Sequence, residues 1–375
     1  MLYWYRYLIL LLIAYAVFRV TSIFFQGAPL VPALVTVGVG TIAFRLLGLT
    51  PPAKIKTMPP PQSTAEAKKE FDRLTDASCR PQPPALDFMV AGNPRLLDHY
   101  FPIVKTLPEP EVESFYQVVQ WISEHPNFDL RLFGRHKKDI TEQLPNAVRY
   151  LVAGQIAEVF YFRQDILTRF LHTPRHFQLY TTPEAFQQDG GVMGGDYNPS
   201  REGIQLVLSR LYEGFDGAMP GVCPFLHELG HMLDHFDAGK GAMGRAEGFY
   251  PGLRASDGDI FKPKAREDFI EGKRLELDRY LARQNGDLTQ PVPIGHPYVF
   301  QNDGEFAAGY LEMFFRNPNY FAAQNPVLYS AYQELFGYDP RNVWKVDFPH
   351  YVNANKSFYA SGQPLSKTRL TIPDS

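Results

Sequence analysis

Two histidines and a glutamate stand within five consecutive positions, His227-Glu228-Leu229-Gly230-His231. Helix residues four positions apart share a face, so both imidazoles can turn a ring nitrogen toward one Zn²⁺ at roughly 2.0–2.1 Å. A carboxylate in the place of Glu228 can take a proton from zinc-activated water as that water attacks a carbonyl, and can return it to the leaving amine. This His-Glu-x-x-His (HExxH) pattern therefore predicts a zinc-dependent hydrolase.

The surrounding residues predict an amphipathic helix that places the motif on one stripe and a core-facing surface on the other side. Asp234 shares the stripe of the histidines, two turns after His227, where its carboxylate can hydrogen-bond a ligand imidazole and fix the tautomer. A motif of this length also arises by chance on solvated helices, but its place after the apolar run 204–208 favours a metal site. Apolar side chains occupy the opposite face, namely Val222, Phe225, Leu226, Leu229, Met232, Leu233 and Phe236.

A catalytic zinc needs a third protein ligand, and two of the three candidates follow the motif directly. Asp237 lies ten positions after His227 and would complete an extended motif. That extended pattern needs a backbone reversal where this chain has Asp234, so a continuing helix is the simpler interpretation. His235 points partly away from the other imidazoles, and we expect it at the surface.

The third candidate, Glu305, lies in a second predicted amphipathic helix, whose start is signalled by Asn302 and Asp303. Glu312 follows seven positions later on the same face. From spacing alone, two acids on one stripe are also compatible with a solvated helix edge.

Two blocks of sequence carry a family resemblance. The first is residues 227–234, preceded by residues 204–209 and 214–216; the second is residues 303–318, continuing to 326–329 and 338–340. Together they resemble the Mlc titration factor A family of zinc-dependent, glucose-regulated metallopeptidases. The second block is also similar to the corresponding helix of the anthrax lethal factor catalytic domain. The chain departs from this family in the long segment 239–290 between the blocks.

The resemblance implies a zincin-type fold and one Zn²⁺ bound by His227, His231 and Glu305. We expect Glu312, on the same helix face as Glu305, to lie close to these ligands. It also implies a tyrosine seven residues before the third ligand, and Tyr298 stands there. A phenol in that place can donate a hydrogen bond to a developing oxyanion. The substrate would be a peptide or protein. An alternative implication is a zinc-containing binding protein that sequesters a regulatory protein, such as a transcriptional repressor, without proteolysis.

Composition limits the other functions of the chain. With 375 residues, 45% hydrophobic, the protein can bury one large core with appendages. The net charge is −3 and the sequence has no block of basic residues, so direct binding of nucleic acid is not expected. Cys79 and Cys223 lie far apart, so a disulfide framework is not expected and a reducing compartment fits better. We interpret Cys223 as a small buried residue.

The first 48 residues are mostly apolar, unlike the rest of the chain. Residues 8–18 and 28–44 are apolar runs, and flanking aromatic and arginine residues can extend each to a membrane crossing. No small-x-small cleavage site follows the first run, so we expect a retained anchor and not a signal peptide. Positive charges precede the first run and follow the second, which predicts a lipid-embedded hairpin with both ends, and the catalytic domain, on the cytoplasmic side. A single membrane crossing, with the catalytic domain on the outside, remains the alternative. The positive charges that flank the two apolar runs are Arg6, Arg45, Lys54, Lys56, Lys68 and Lys69.

The expected organisation is a transmembrane hairpin (1–48), a Pro-rich linker with a short helix (49–84), a metallopeptidase domain (85–345) and a C-terminal tail (346–375). The domain is predicted to be α+β, mostly helical with a small sheet. We predict strands at 177–181 and 204–209 and a flexible Gly-rich loop at 190–195, bordering the cleft. Helices are predicted at 111–124, 139–172, 264–283 and 326–336, besides the two that carry the motif and Glu305.

Overall fold

The computed structural model describes residues 100–191, 194–201, 203–211, 222–236, 248, 250, 263–343, 347 and 349–372. The predicted membrane hairpin (1–48) and linker (49–84) lie outside these residues. Within the described ranges, no helix is both long and apolar enough to span a bilayer. The described part has the predicted α+β composition, mostly helical with one small sheet.

The sheet contains β1 (Phe128–Phe133), β2 (Arg175–Tyr180), β3 (Gly195–Asn198) and β4 (Gly203–Val207), in the order β1-β2-β4-β3. β1, β2 and β4 run parallel, and β3 pairs antiparallel with β4 at the edge of the sheet. The predicted strands at 177–181 and 204–209 correspond to β2 and β4. β1 and β3 were not predicted, although β1 alternates apolar and charged residues with the period of a half-buried strand.

Helices pack around this sheet and against one another. They are α1 (Glu109–Glu124), α2 (Asn146–Phe160), α3 (Gln164–Phe170), α4 (Pro183–Gln188), α5 (Pro224–Asp234), α6 (Pro263–Gln284), α7 (Asp303–Arg316), α8 (Pro318–Gln324), α9 (Pro326–Phe336) and α10 (Pro349–Ala360). The prediction of one helix over 139–172 is wrong. Pro145 is extended and precedes the first turn of α2, and Arg163, with φ −131° and ψ 52°, separates α2 from α3.

The two helices that carry the predicted metal ligands, α5 and α7, pack against each other at unusually short range. Gly230 makes this possible, because a Cβ at this position would lie 2.7 Å from Cα of Ala308 and 3.0 Å from Oη of Tyr250. The predicted apolar face of α5 is buried, and Leu229 and Met232 have no exposed surface. Helix α5 is therefore held between the core and α7.

Helix α6 lies in the long segment 239–290, corresponds to the helix predicted at 264–283, and is rich in charged residues. Two of its charged residues, Lys273 and Glu276, are nevertheless fully buried. Oε2 of Glu276 accepts hydrogen bonds from the backbone N–H of Ile294 (2.8 Å) and from Oη of Tyr310 (2.6 Å). α6 thus ties α7 to the loop that leads into the 3₁₀ turn Pro297–Phe300.

Residues 346–375, expected as a C-terminal tail, include α10 and residues 363–372, which form neither helix nor strand. Asn355 donates to the backbone oxygen of Ile294 (2.8 Å), and Tyr359 donates to that of Gly295 (2.9 Å). This part of the chain therefore contacts the segment before Tyr298.

Candidate metal centre

Three predicted ligands converge between α5 and α7. Nε2 of His227 lies 3.1 Å from Oε2 of Glu305, and Nε2 of His231 lies 3.4 Å from the same oxygen. Ligands bound tetrahedrally to Zn²⁺ at about 2.0–2.1 Å are about 3.3 Å apart, so these distances match the edges of a zinc tetrahedron. The potential ligand atoms of all three residues lie within 4.8 Å of one another. The donor set, two imidazoles and one carboxylate, is one that zinc accepts in catalytic sites.

Local helix geometry fixes the ligands. Pro224 occupies the first position of α5, where its missing N–H removes no helical hydrogen bond, and the two histidines follow one turn apart. Asn302 caps α7, and its Oδ1 accepts a hydrogen bond from the backbone N–H of Glu305 (3.0 Å). The predicted Asn/Asp start signal is confirmed, and it places Glu305 in the first turn of α7.

Glu312 lies on the far side of the His227 ring, as expected from its place on the Glu305 face. Its Oε2 is 3.6 Å from Nδ1 of His227, a charge contact longer than a direct hydrogen bond. Its other oxygen accepts a short hydrogen bond from the backbone N–H of Cys223. Glu312 thus joins the beginning of α5 to the ring of His227 and leaves Nε2 facing Glu305.

Asp234 is buried below the site, and its Oδ1 accepts a hydrogen bond from the backbone N–H of Gly248 (2.8 Å). A Cβ placed on Gly304 would lie 3.5 Å from Oδ2 of Asp234 and 3.6 Å from Nδ1 of His231. Both atoms therefore face Gly304. Asp234 is therefore on the Nδ1 side of His231, as its predicted role requires. That it orients the imidazole stays a prediction.

Glu228 borders a cavity of about 380 Å³, which is also lined by one of the three predicted ligands, His227. The cavity also reaches β3, since a Cβ at Gly195 would lie 3.8 Å from Oε1 of Glu228. The predicted Gly-rich loop therefore contributes at least Gly195 to the cleft wall, while residues 192 and 193 lie outside the described ranges. The lining comprises Gly195, Asp196, Arg210, Val222, Pro224, His227, Glu228, Tyr298 and Glu312.

Tyr298 stands at the mouth of this cavity with 38% of its surface exposed. Its Oη donates a hydrogen bond to Oε1 of Glu305 (3.0 Å), and its ring centroid is 6.1 Å from that of His227. The 3₁₀ turn Pro297–Phe300 holds it there, capped by Nδ1 of His296, which accepts from the N–H of Tyr298. The phenol is thus within reach of both the ligands and the cavity.

Burial and charge act against each other at this site. Burial lowers the pKa of His227, but its contacts with Glu305 and Glu312 outweigh burial and raise that pKa to about 10. Burial raises the pKa of Glu305, but hydrogen bonds to His227 and His231 hold it well below its usual range. Burial also raises the pKa of Glu228, against the opposing influence of the two histidines. The directions for His227 and Glu305 favour a charged ring facing a deprotonated acid, whereas the burial of Glu228 favours its protonated form.

The other candidate ligands do not join this group among the described residues. His235 follows the last residue of α5, and its ring packs 5.2 Å from that of Tyr197. Asp237 lies outside the described residues. Cys223 is fully buried, as predicted, and its Sγ accepts from Nε2 of Gln155 at 3.3 Å.

Sequence reasoning missed two polar residues of the cleft wall, Asp196 on β3 and Arg210 after β4. Neither residue belongs to a motif. The only sequence feature that could have pointed to them is their position next to the Gly-rich loop and the apolar run 204–208. The carbons of Arg210 come within 3.4 Å of the place of a Cβ at Gly194, whose φ of +86° favours glycine. Gly194 thus lies against the side chain of Arg210.

Comparisons with known proteins identify no family. No protein-family model matches the chain, and the search of curated proteins found no match.

Proposed function

We propose that this protein is a zinc-dependent metallopeptidase with a zincin-type catalytic domain. The observation that carries the proposal is the convergence of His227, His231 and Glu305 at tetrahedral spacing, with the acid Glu228 beside them in an accessible cavity. The resemblance to the Mlc titration factor A family points to the same activity, and it stays a prediction.

His227, His231 and Glu305 would hold one Zn²⁺, which supplies Lewis acidity when bound. Glu228 takes a proton from the attacking water and passes it to the leaving amine. The burial that raises its pKa makes it a stronger base than an exposed glutamate. Tyr298 would turn its Oη hydrogen from Glu305 to the carbonyl oxygen on which negative charge develops.

The cleft wall supports a peptide as substrate. β3 is the edge strand of the sheet, borders the cavity at Gly195 and Asp196, and contacts α5. An extended peptide can pair with a strand edge through backbone hydrogen bonds, whatever its side chains are. Such pairing would bring a peptide bond alongside Glu228.

The alternative, a zinc-containing binding protein that sequesters a regulator, would be favoured by a closed site with four protein ligands. In the described part of the chain, the metal-binding group comprises three residues, and an acid suited to base catalysis lies next to them. These features favour hydrolysis.

Two variants test the mechanism. We expect His227→Ala to lose zinc because one of three ligands is gone. We expect Glu228→Gln to keep zinc and to lose about 10²–10⁴-fold in kcat, since the proton acceptor is removed without loss of volume. Metal content is measured by atomic absorption, and hydrolysis by digestion of a peptide library.

Glu142→Gln, an exposed acid far from the centre in sequence, serves as the matched control and should change neither readout. Retention of full peptidase activity by Glu228→Gln would show that the assigned base is wrong. Zinc in the protein without any cleavage would instead favour the binding function.

We also infer from the sequence that residues 1–48 anchor the protein in a membrane, with the domain on the cytoplasmic side. These residues lie outside the described ranges. Protease added to sealed, right-side-out membrane vesicles tests the orientation, because it would cleave a domain on the outside.

A further inference from the structure

We propose that the C-terminal segment 365–372 is a positioning strap for the metal centre, with Thr371 and Thr368 as its two anchors. The effect that we expect on catalysis rests on the proposed function, whereas the effect that we expect on local structure does not. The segment begins sixty residues after Glu305 in sequence, and it has no helix or strand of its own.

The first anchor is at the beginning of α7. Thr371 binds Asp303 twice, through its backbone N–H (2.9 Å to Oδ1) and through its hydroxyl (2.5 Å to Oδ2). Asp303 also accepts from Nζ of the buried Lys273 at 2.7 Å. Asp303 is two residues before Glu305, so these contacts fix the helical turn from which the third ligand projects.

The second anchor is at the turn that carries Tyr298. The hydroxyl of Thr368 donates to the backbone oxygen of Phe300 at 2.7 Å. Next to it, the backbone oxygen of Ser366 accepts from Oη of Tyr280 and from Nε2 of Gln284, both at 2.9 Å. The strap therefore spans from α6, across the Tyr298 turn, to the first residue of α7.

The two anchors hold the two ends of one short piece of chain, residues 300–303, which separates Tyr298 from Glu305. This piece has few backbone hydrogen bonds of its own beyond the cap of α7. Leu365, Leu370 and Ile372 are half-buried against the core and keep the strap in place. Segments with this little secondary structure open at low free energy, so loss of one anchor should loosen the site without unfolding the protein.

The anchors predict different defects in the full-length protein. Thr371→Val should weaken zinc binding about three- to tenfold, as expected for the loss of one hydrogen bond that orders a ligand-bearing turn. Thr368→Val should leave zinc affinity within about twofold and lower kcat about three- to tenfold, because it loosens the Tyr298 turn. Thr168→Val, whose hydroxyl bonds the backbone of α3 instead, is the matched control and should change neither quantity.

Zinc affinity is measured by competition with a chelator, and the local effect by amide hydrogen exchange of peptides covering residues 297–306 without added metal. We expect faster exchange near residues 303–306 in Thr371→Val and near residues 297–301 in Thr368→Val. Hydrogen exchange does not depend on activity, so a wild-type protein that binds or cleaves nothing would refute the proposed function and still leave the strap testable. Unchanged hydrogen exchange in both variants would overturn the proposal. So would equal changes of zinc affinity, kcat and exchange in both variants that only follow the drop in melting temperature.

Discussion

The imidazole of His227 lies between two acids of α7, with Glu305 at Nε2 and Glu312 at Nδ1. Only one of these acids can share a metal ion with the ring. The other, Glu312, is placed to keep the ring turned and to increase the basicity of the nitrogen that we propose binds zinc. Its second oxygen also holds the backbone of Cys223, so its position is determined from both sides.

At this scale we predict that Glu312→Gln weakens zinc binding about tenfold, because the amide keeps the shape and a hydrogen-bond acceptor but loses the negative charge. A competition titration with a chelator measures the change. The exposed Glu142→Gln provides the control for loss of one negative charge. A zinc affinity within about twofold of wild type would mean that Glu312 serves only to hold the start of α5.

At the scale of elements, the site depends on how closely α5 and α7 approach. We predict that Gly230→Ala separates them, because the added Cβ would meet backbone and side-chain atoms of Ala308 at 2.7–3.0 Å. Both histidines would then move away from Glu305, with loss of zinc affinity by at least about tenfold and of about 1–3 kcal/mol in the free energy of unfolding.

Gly154→Ala is the control for overpacking elsewhere. A Cβ there would lie 2.0 Å from the ring of Phe101, in the core between α2 and the start of the described chain. It should lower the free energy of unfolding by a similar amount while folded molecules keep their zinc affinity. If the two variants lost zinc affinity equally, the spacing of α5 and α7 would not be the cause.

Part of this arrangement could be predicted from sequence, and the reasons differ between elements. His227, Glu228 and His231 are close in sequence, so helix periodicity alone places them together. Glu305 needed the family resemblance, because its 78-residue separation from His227 in sequence is bridged only by tertiary packing. β3 was missed because its residues, Gly-Asp-Tyr-Asn, have low strand propensity and are extended only through pairing with β4.

The buried charges of α6 were missed for a related reason. Lys273 looks like a solvated residue in the sequence, and its burial follows from Asp303, thirty residues further on. Burial lowers the pKa of this lysine, and the nearby carboxylate opposes that effect. A charge pattern on one helix does not reveal which partner the fold supplies.

At the scale of the whole molecule, a metal that binds only the folded state must stabilise it. We predict that zinc at about a thousand times its dissociation constant adds about 4 kcal/mol to the free energy of unfolding, or about 10 °C in melting temperature for a domain of this size. A thermal melt with and without chelator measures this shift. His231→Ala should show little of it, and an equal shift in that variant would place the ion elsewhere.

The centre is assembled from parts made at very different times. Glu305 follows His227 by 78 residues, and Thr371 follows Asp303 by 68. At a synthesis rate of roughly 5–20 residues per second, the histidines leave the ribosome several seconds before their carboxylate partner. A nascent chain that has not yet reached Glu305 therefore lacks one of the three proposed zinc ligands, so the proposed activity would be absent until that residue has been made and folded against the histidines.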